Sequence, residues 1–246
     1  MSGRNLELPP ISVLVPADPA TQRHAVAVVF PSHACSHGFS KLLKRTMDDH
    51  RQHNKLQSGT AAPIVEVSDK SVTPHALRLC CEYLEHYSVT LPIDDEEDDV
   101  PGSSIATVVE RSNQLLQQDA LTPAQQRKRD LTPTVLPVPL PKPIEQLLSA
   151  WENVFVSSRL LRNNGDAWEH QDIIAVLHAA QFLEIPTLEA LCSGWSGSQI
   201  TKMCASTKNS FEAAEMIRKF FHIEKDWTPE EEECLRIENE WPEGEE

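Results

Sequence analysis

Histidine and cysteine crowd together at one place in the chain: His33, Cys35 and His37, with His50 and His53 close behind. Imidazole nitrogen and thiolate sulfur are good zinc ligands, and alternate spacing on a strand would turn the first three side chains to one side. A closed site needs further donors, and neither a C-x-x-C nor a second H-x-x-x-H lies at a recognised distance. The segment also falls at the end of an apolar run, where polar residues are common. We read these histidines as solvated or lightly packed, with no metal and no cofactor.

Nucleophilic catalysis is the second chemistry to weigh. Cys35, Cys192 and Cys204 are candidate thiols among ten histidines that could act as base. None sits in a nucleophile elbow, and the chain has no glycine-rich phosphate loop. Cys192 and Cys204 flank helical segments on apolar stripes, where a buried structural thiol is the rule. Carboxylates come in runs of four or six, which suits a solvated face better than two acids of different pKa. The sequence therefore reads as a protein without catalysis of its own.

Charge narrows the partners. Of 246 residues, 37 are acidic and 22 basic, for a formal charge of −15. The excess lies in two places: six consecutive acids at 94–99, and eleven acids against two bases from 224 to the end. The remainder is balanced. A general nucleic-acid binder would need a basic face to neutralise phosphates, so nucleic acid is not expected. No apolar run approaches the length that crosses a bilayer, and MSGRNLELPP lacks the basic and apolar parts of a signal peptide. Six cysteines without a paired motif fit a reducing compartment, so a cytoplasmic and nuclear protein with no membrane partner is expected.

The elements that would position any site begin with two β-branched runs, 11–15 (ISVLV) and 24–30 (HAVAVVF), separated by a turn rich in Pro and Asp. Phe39, Leu42, Leu43 and Met47 have helical spacing. Residues 62–67 (APIVEV) read as a third strand. Thr73-Pro74 then opens a helix to about Tyr87, with Thr as N-cap and Pro in the first turn. From about 92 to 142 the chain is acidic, then polar, then proline-rich, with five prolines in 131–143. That composition reads as a mostly disordered insertion, extended where proline recurs. Helical spacing returns over 144–161, and 172–183 (DIIAVLHAAQFL) is apolar almost all round, as in a buried helix. Pro186 opens a short helix through Cys192, and 211–221 (FEAAEMIRKFF) forms another. Thr228, Pro229 and Glu231 spell the capping box of a last helix. Large apolar residues there, among them Phe220, Phe221, Ile223, Trp227, Ile237 and Trp241, sit amid glutamates, as in a partner-binding surface.

The run IRKFFHIEKDWTPEEEE at 217–233, followed by LRIENEW at 235–241, resembles the end of the S-phase kinase-associated (Skp-type) adaptor family of SCF ubiquitin ligases. That family carries an I-R-K-x-F-x-I stretch, an aromatic-Thr cap rich in Glu, and a closing E-N-x-W. Residues 177–185 (LHAAQFLEI) resemble its L-x-A-A-x-aromatic-L-x-I helix, and Ala150-Trp151-Glu152 with Phe155 resembles the tryptophan-bearing helix before it. The strand and helix order over 11–88 matches the family's BTB/POZ fold. The resemblance implies an α+β protein. Its BTB/POZ-like domain, with a small three-stranded sheet, would span 11–185, interrupted by the insertion at 92–142. A C-terminal helical extension with an acidic tail would span 186–246.

In function the resemblance implies a non-catalytic adaptor of a cullin–RING E3 ubiquitin ligase, bridging a cullin to F-box proteins. Gln181 and Phe182 would face the cullin, Gln181 standing where the family commonly has asparagine. Leu188, Leu191, Cys192, Ile217, Phe221, Ile223, Trp227, Leu235, Asn239 and Trp241 would lie in or near the F-box groove. An apolar groove left without a partner would favour self-association, which the sequence alone does not decide. The alternative reading is a divergent BTB-fold scaffold that binds an F-box-like partner without a cullin, for example in a kinetochore or another assembly.

Overall fold

A β-branched run builds the first strand, β1 (Ile11–Val15), in which Ile11, Val13 and Val15 are buried while Ser12 and Leu14, on the other face, are half-buried. The computed structural model describes residues 9–17, 24–54, 62–90, 131–163, 168–169, 171–224 and 227–239. β2 (Val26–Phe30) pairs antiparallel with β1, setting Ile11 opposite Phe30 and Val13 opposite Val28, all four buried. β3 (Ile64–Glu66) lies parallel on the other side of β1, so the order is β2-β1-β3. A parallel partner requires a crossover, and the two intervening helices supply it: α1 (Ser32–Ser36) and α2 (Lys41–Asn54). The small three-stranded sheet of the sequence reading is present.

The central helix is α3 (Pro74–Thr90). Thr73 Oγ1 accepts from the backbone N–H of Ala76 at 3.1 Å and so caps its start. Leu77, Cys80, Leu84 and Tyr87 form its buried stripe, and Tyr83 is equally buried. Tyr83 and Tyr87 meet edge to face at 5.0 Å, and Trp151 stacks on Phe155 at 4.8 Å and on His86 at 3.8 Å. These aromatic contacts join α3 to the chain that resumes beyond the insertion.

That chain begins earlier than the sequence suggested. Residues 91–130 lie outside the described residues, but 131–142 is an extended strap in which Pro133, Thr134 and Leu136 are buried. The stretch is extended, as its prolines imply, but anchored, because Thr134 supplies both its N–H (2.9 Å) and its hydroxyl to the carboxylate of Glu152. Glu152 is fully buried and also closes the capping box of its own helix. It accepts from the N–H of Ser149 at 2.9 Å, and Ser149 Oγ accepts from the N–H of Glu152. A second anchor is steric. A Cβ placed on Gly194 would stand 2.8 Å from Leu136 Cδ1. Gly194→Val should therefore cost about 1–3 kcal/mol through overpacking. Thermal melting of the variant checks it, and an unchanged midpoint would show that Leu136 moves aside freely.

In place of one helix over 144–161 there are α4 (Ile144–Leu147), α5 (Ala150–Phe155) and a π-helical turn, Val156–Leu160. A two-residue pairing follows, β4 (Arg162–Asn163) with β5 (Trp168–Glu169), and then α6 (Gln171–Phe182). The next helix, α7 (Pro186–Ser206), runs far past the short segment ending at Cys192. Two compact units result, Met1–Gly194 and Trp195–Glu246, which divide inside α7. Helix propensity at Gly194 was outweighed by the room that Leu136 requires.

The second unit contains the end of α7, then α8 (Ser210–Phe220) and α9 (Pro229–Asn239). Asn209 Oδ1 caps α8 by accepting from the N–H of Glu212 at 2.8 Å. Thr228 and Glu231 form the expected reciprocal box: Thr228 N–H donates to Glu231 Oε2 at 2.9 Å, and Glu231 N–H to Thr228 Oγ1 at 3.3 Å. Trp195 stacks on Phe220 at 6.3 Å, and Phe220 meets Phe221 edge-on at 5.0 Å, giving this short unit an aromatic centre. Among the described residues no helix is long and apolar enough to cross a membrane.

Candidate protein-binding surfaces

The His33–His37 cluster is dispersed by its backbone. Residues 32–36 are helical, so a period of two no longer aligns the three side chains. Cys35 is buried, with its thiol toward the carbonyl of Phe30 at 3.8 Å, while His33 is exposed. Half-burial, with His33 close by, pushes the His37 imidazole below its usual pKa. Among the described residues no group of three or more His, Cys, Asp or Glu is placed to hold a metal ion.

Burial also sets the behaviour of the thiols. It raises Cys35 and Cys81 to about 12, with the carboxylate of Glu85 adding to the effect at Cys81. Cys80 and Cys192 are shifted the same way by their complete burial. Cys204 and Cys234 are exposed. Since the thiolate is the reactive form, a maleimide titration of the folded protein at neutral pH should label two of the six cysteines rapidly and the other four only on unfolding. The same shifts fix a sign. Above the ordinary thiol value of 9.0 the unfolded chain releases protons that Cys35 and Cys81 retain until about 12. Stability is full below pH 9 and falls as pH rises toward 12, which urea midpoints at pH 8 and pH 10 will show.

Gln181 and Phe182 occupy the last turn of α6, with Gln181 exposed and Phe182 half-buried. The end of that helix is closely specified. The N–H of Ile185 reaches the carbonyl of Ala180 at 2.8 Å and the N–H of Glu184 reaches Gln181 at 3.1 Å, the two bonds of a Schellman stop. The position that glycine normally takes is held by Glu184, at φ 54°. A side chain there costs roughly 1–2 kcal/mol against Cβ crowding. The start of α2 meets this turn. Ser40 donates its hydroxyl to the carbonyl of Leu183 at 2.5 Å and accepts from the N–H of Leu43 at 3.1 Å. Lys41 N–H reaches the carbonyl of Glu184 at 3.1 Å, and Arg45 Nη2 pairs with Glu184 Oε1 at 3.1 Å. The side chain of Gln181 itself donates to Glu189 Oε1 at 3.3 Å.

Three of the residues assigned to a partner groove are buried in this structure. Leu188, Leu191 and Cys192 are each no more than 1% exposed. They fall on the inward side of α7, where apolar side chains at three- and four-residue spacing serve the unit's own core. A sequence stripe of this kind does not distinguish a core from an interface.

The second unit presents the others. Ile217 and Phe221 are half-buried, while Ile223 is 57% and Trp227 50% exposed. The side chains of Leu235 and Asn239, and Trp241 altogether, lie outside the described residues. Two exposed apolar residues stand outside the groove residues named above: Met216 at 42% and Ile237 at 62%, the latter already read as part of the apolar surface amid glutamates. Their signal was available, since Met216 lies on the apolar side of α8 and Ile237 in the charged stretch around Trp241. Exposed glutamates at 230, 231 and 233 share α9 with Ile237, and Arg218 is held by Glu215 at 2.9 Å. Large apolar groups edged by charge are suited to burial against another protein's helix, with the acids favouring a basic flank.

Residues 202–242 match the family model described as Skp1 family, dimerisation domain. SKP1-like protein 19 of Arabidopsis thaliana is 30% identical over 97 residues, which make up 39% of this chain and 40% of that protein. The match thus spans less than half the length of that relative.

Proposed function

On the premise that this chain is of the Skp1 type, as its C-terminal segment and the partial identity support, we propose that it is a non-catalytic adaptor of an SCF-type cullin–RING ubiquitin ligase. In this reading the first unit is a BTB/POZ-like body that holds a cullin through the end of α6 at Gln181 and Phe182. The second unit holds F-box proteins through Ile217, Phe221, Ile223 and Trp227, extended by Met216 and Ile237. Leu235, Asn239 and Trp241 belong to the same proposed surface by their place in the matched segment.

The observation that carries the reading is a coincidence of position. The segment that matches the family is also the one that leaves Ile223, Trp227 and Ile237 at least half exposed. Exposed aromatic and aliphatic groups of this size are the usual anchors of a protein interface. The adaptor works by geometry alone: two separate surfaces on one chain let two partners be held together without any bond being made. Affinity purification of the tagged full-length protein, with mass spectrometry of what remains bound, tests it. A cullin recovered together with several F-box proteins is the expected result. F-box proteins without a cullin would favour a scaffold outside ubiquitin transfer, and neither partner would overturn the proposal.

A further inference from the structure

The end of α6 is built more elaborately than a helix stop requires. Glutamate holds a left-handed position that glycine would fill without strain. What the glutamate adds is a side chain that reaches Arg45, while its backbone carbonyl takes the N–H of Lys41. Ser40, buried to 1% exposure, uses its one hydroxyl twice, as cap of α2 and as donor to Leu183. The carbonyl end of α6 is thereby fixed to the amide end of α2, a favourable meeting of opposite partial charges.

This junction immediately follows Gln181 and Phe182. Those side chains project from the final turn, where a helix would otherwise fray. We infer that Ser40 and Glu184 are positioning residues for the Gln181–Phe182 surface: by locking the last turn of α6 to α2, they hold it ready for a rigid helical partner. The inference rests on the cullin-facing reading given above and adds to it which residues set the geometry. A surface held ready loses less freedom on binding, so loosening the junction lowers affinity without removing any contact.

The test uses full-length protein with the N-terminal region of a cullin and, separately, an F-box domain, titrated by calorimetry. Ser40→Ala and Glu184→Val each loosen the junction, whereas Glu184→Gly keeps the left-handed turn. The expected result is at least a tenfold weaker cullin affinity for Ser40→Ala and for Glu184→Val, with F-box affinity within twofold of the parent. Glu184→Gly keeps the turn and the carbonyl that takes the Lys41 N–H but loses the pair with Arg45, so its cullin affinity should fall between that of Glu184→Val and the parent, whereas a contact role for the glutamate would weaken the two variants equally. Ser40→Ala is the milder change and carries the test if Glu184→Val does not fold. Unchanged cullin affinity in folded variants, or an equal loss for both partners, would overturn the positioning role while leaving the adaptor reading intact. A parent protein that binds the F-box domain but no cullin would overturn both the cullin-facing reading and this inference.

Discussion

Replacing Glu152 with alanine should lower the unfolding free energy of the first unit by about 3–5 kcal/mol, the cost typical of removing one partner from a buried charged network. The carboxylate accepts from Thr134 N–H, Thr134 hydroxyl and Ser149 N–H. Its removal leaves three donors facing a cavity, each worth roughly 1–3 kcal/mol if it stays unsatisfied. Taking a charge out of the interior recovers some desolvation energy, but the number of orphaned donors outweighs it. Glu152→Gln should fall between parent and alanine, because one oxygen remains while the new amide turns its own donors toward at least one backbone N–H. Urea titration followed by circular dichroism supplies the measurement, and limited proteolysis should show cutting near 131–142 in both variants. Stability within 1 kcal/mol of the parent for both would mean that Thr134 finds water in place of the carboxylate.

A second large effect is expected in binding. Ile223→Ala with Trp227→Ala should weaken F-box binding about a hundredfold or more, since a central aromatic anchor typically contributes 2 kcal/mol or more and tenfold corresponds to about 1.4 kcal/mol. Both side chains are half exposed or more, so the same double variant should melt close to the parent. Calorimetry with an F-box domain reads the first quantity and thermal denaturation the second. Loss of folded second unit would place these residues in its core, contrary to their exposure. Unchanged affinity with unchanged folding would remove them from the proposed interface.

The sequence was informative where one physical period governed a stretch. The β-branched run over 11–15 specifies a strand, and Thr73-Pro74 and Thr228-Pro229 specify helix starts, because capping is a matter of local hydrogen bonds. It was misleading where a local pattern had two solutions. Ser32–Ser36 is short enough to be strand or helix, and only packing against α3 made it a helix. In α7 the apolar spacing at Leu188, Leu191 and Cys192 is the same for a core stripe and an interface stripe. That all three are buried is a property of the whole unit and could not be read from the stripe.

Residues 131–142 show the limit most clearly. Five prolines in thirteen residues, 131–143, deny the segment a helix or a central strand, and composition could go no further than an extended path. Its anchorage depends on a glutamate 18 positions later and a glycine still farther on, and no local pattern encodes a contact at that distance. By itself the sequence determined the charge distribution, the strand and cap signals, and a C-terminal segment with aromatic residues among acids. The tertiary structure alone decided which apolar residues remained exposed, where the two units divide, and how α6 is fixed beside α2. Those outcomes turn on long-range competition for burial and for buried hydrogen-bond partners, which the order of residues specifies only once the chain has folded.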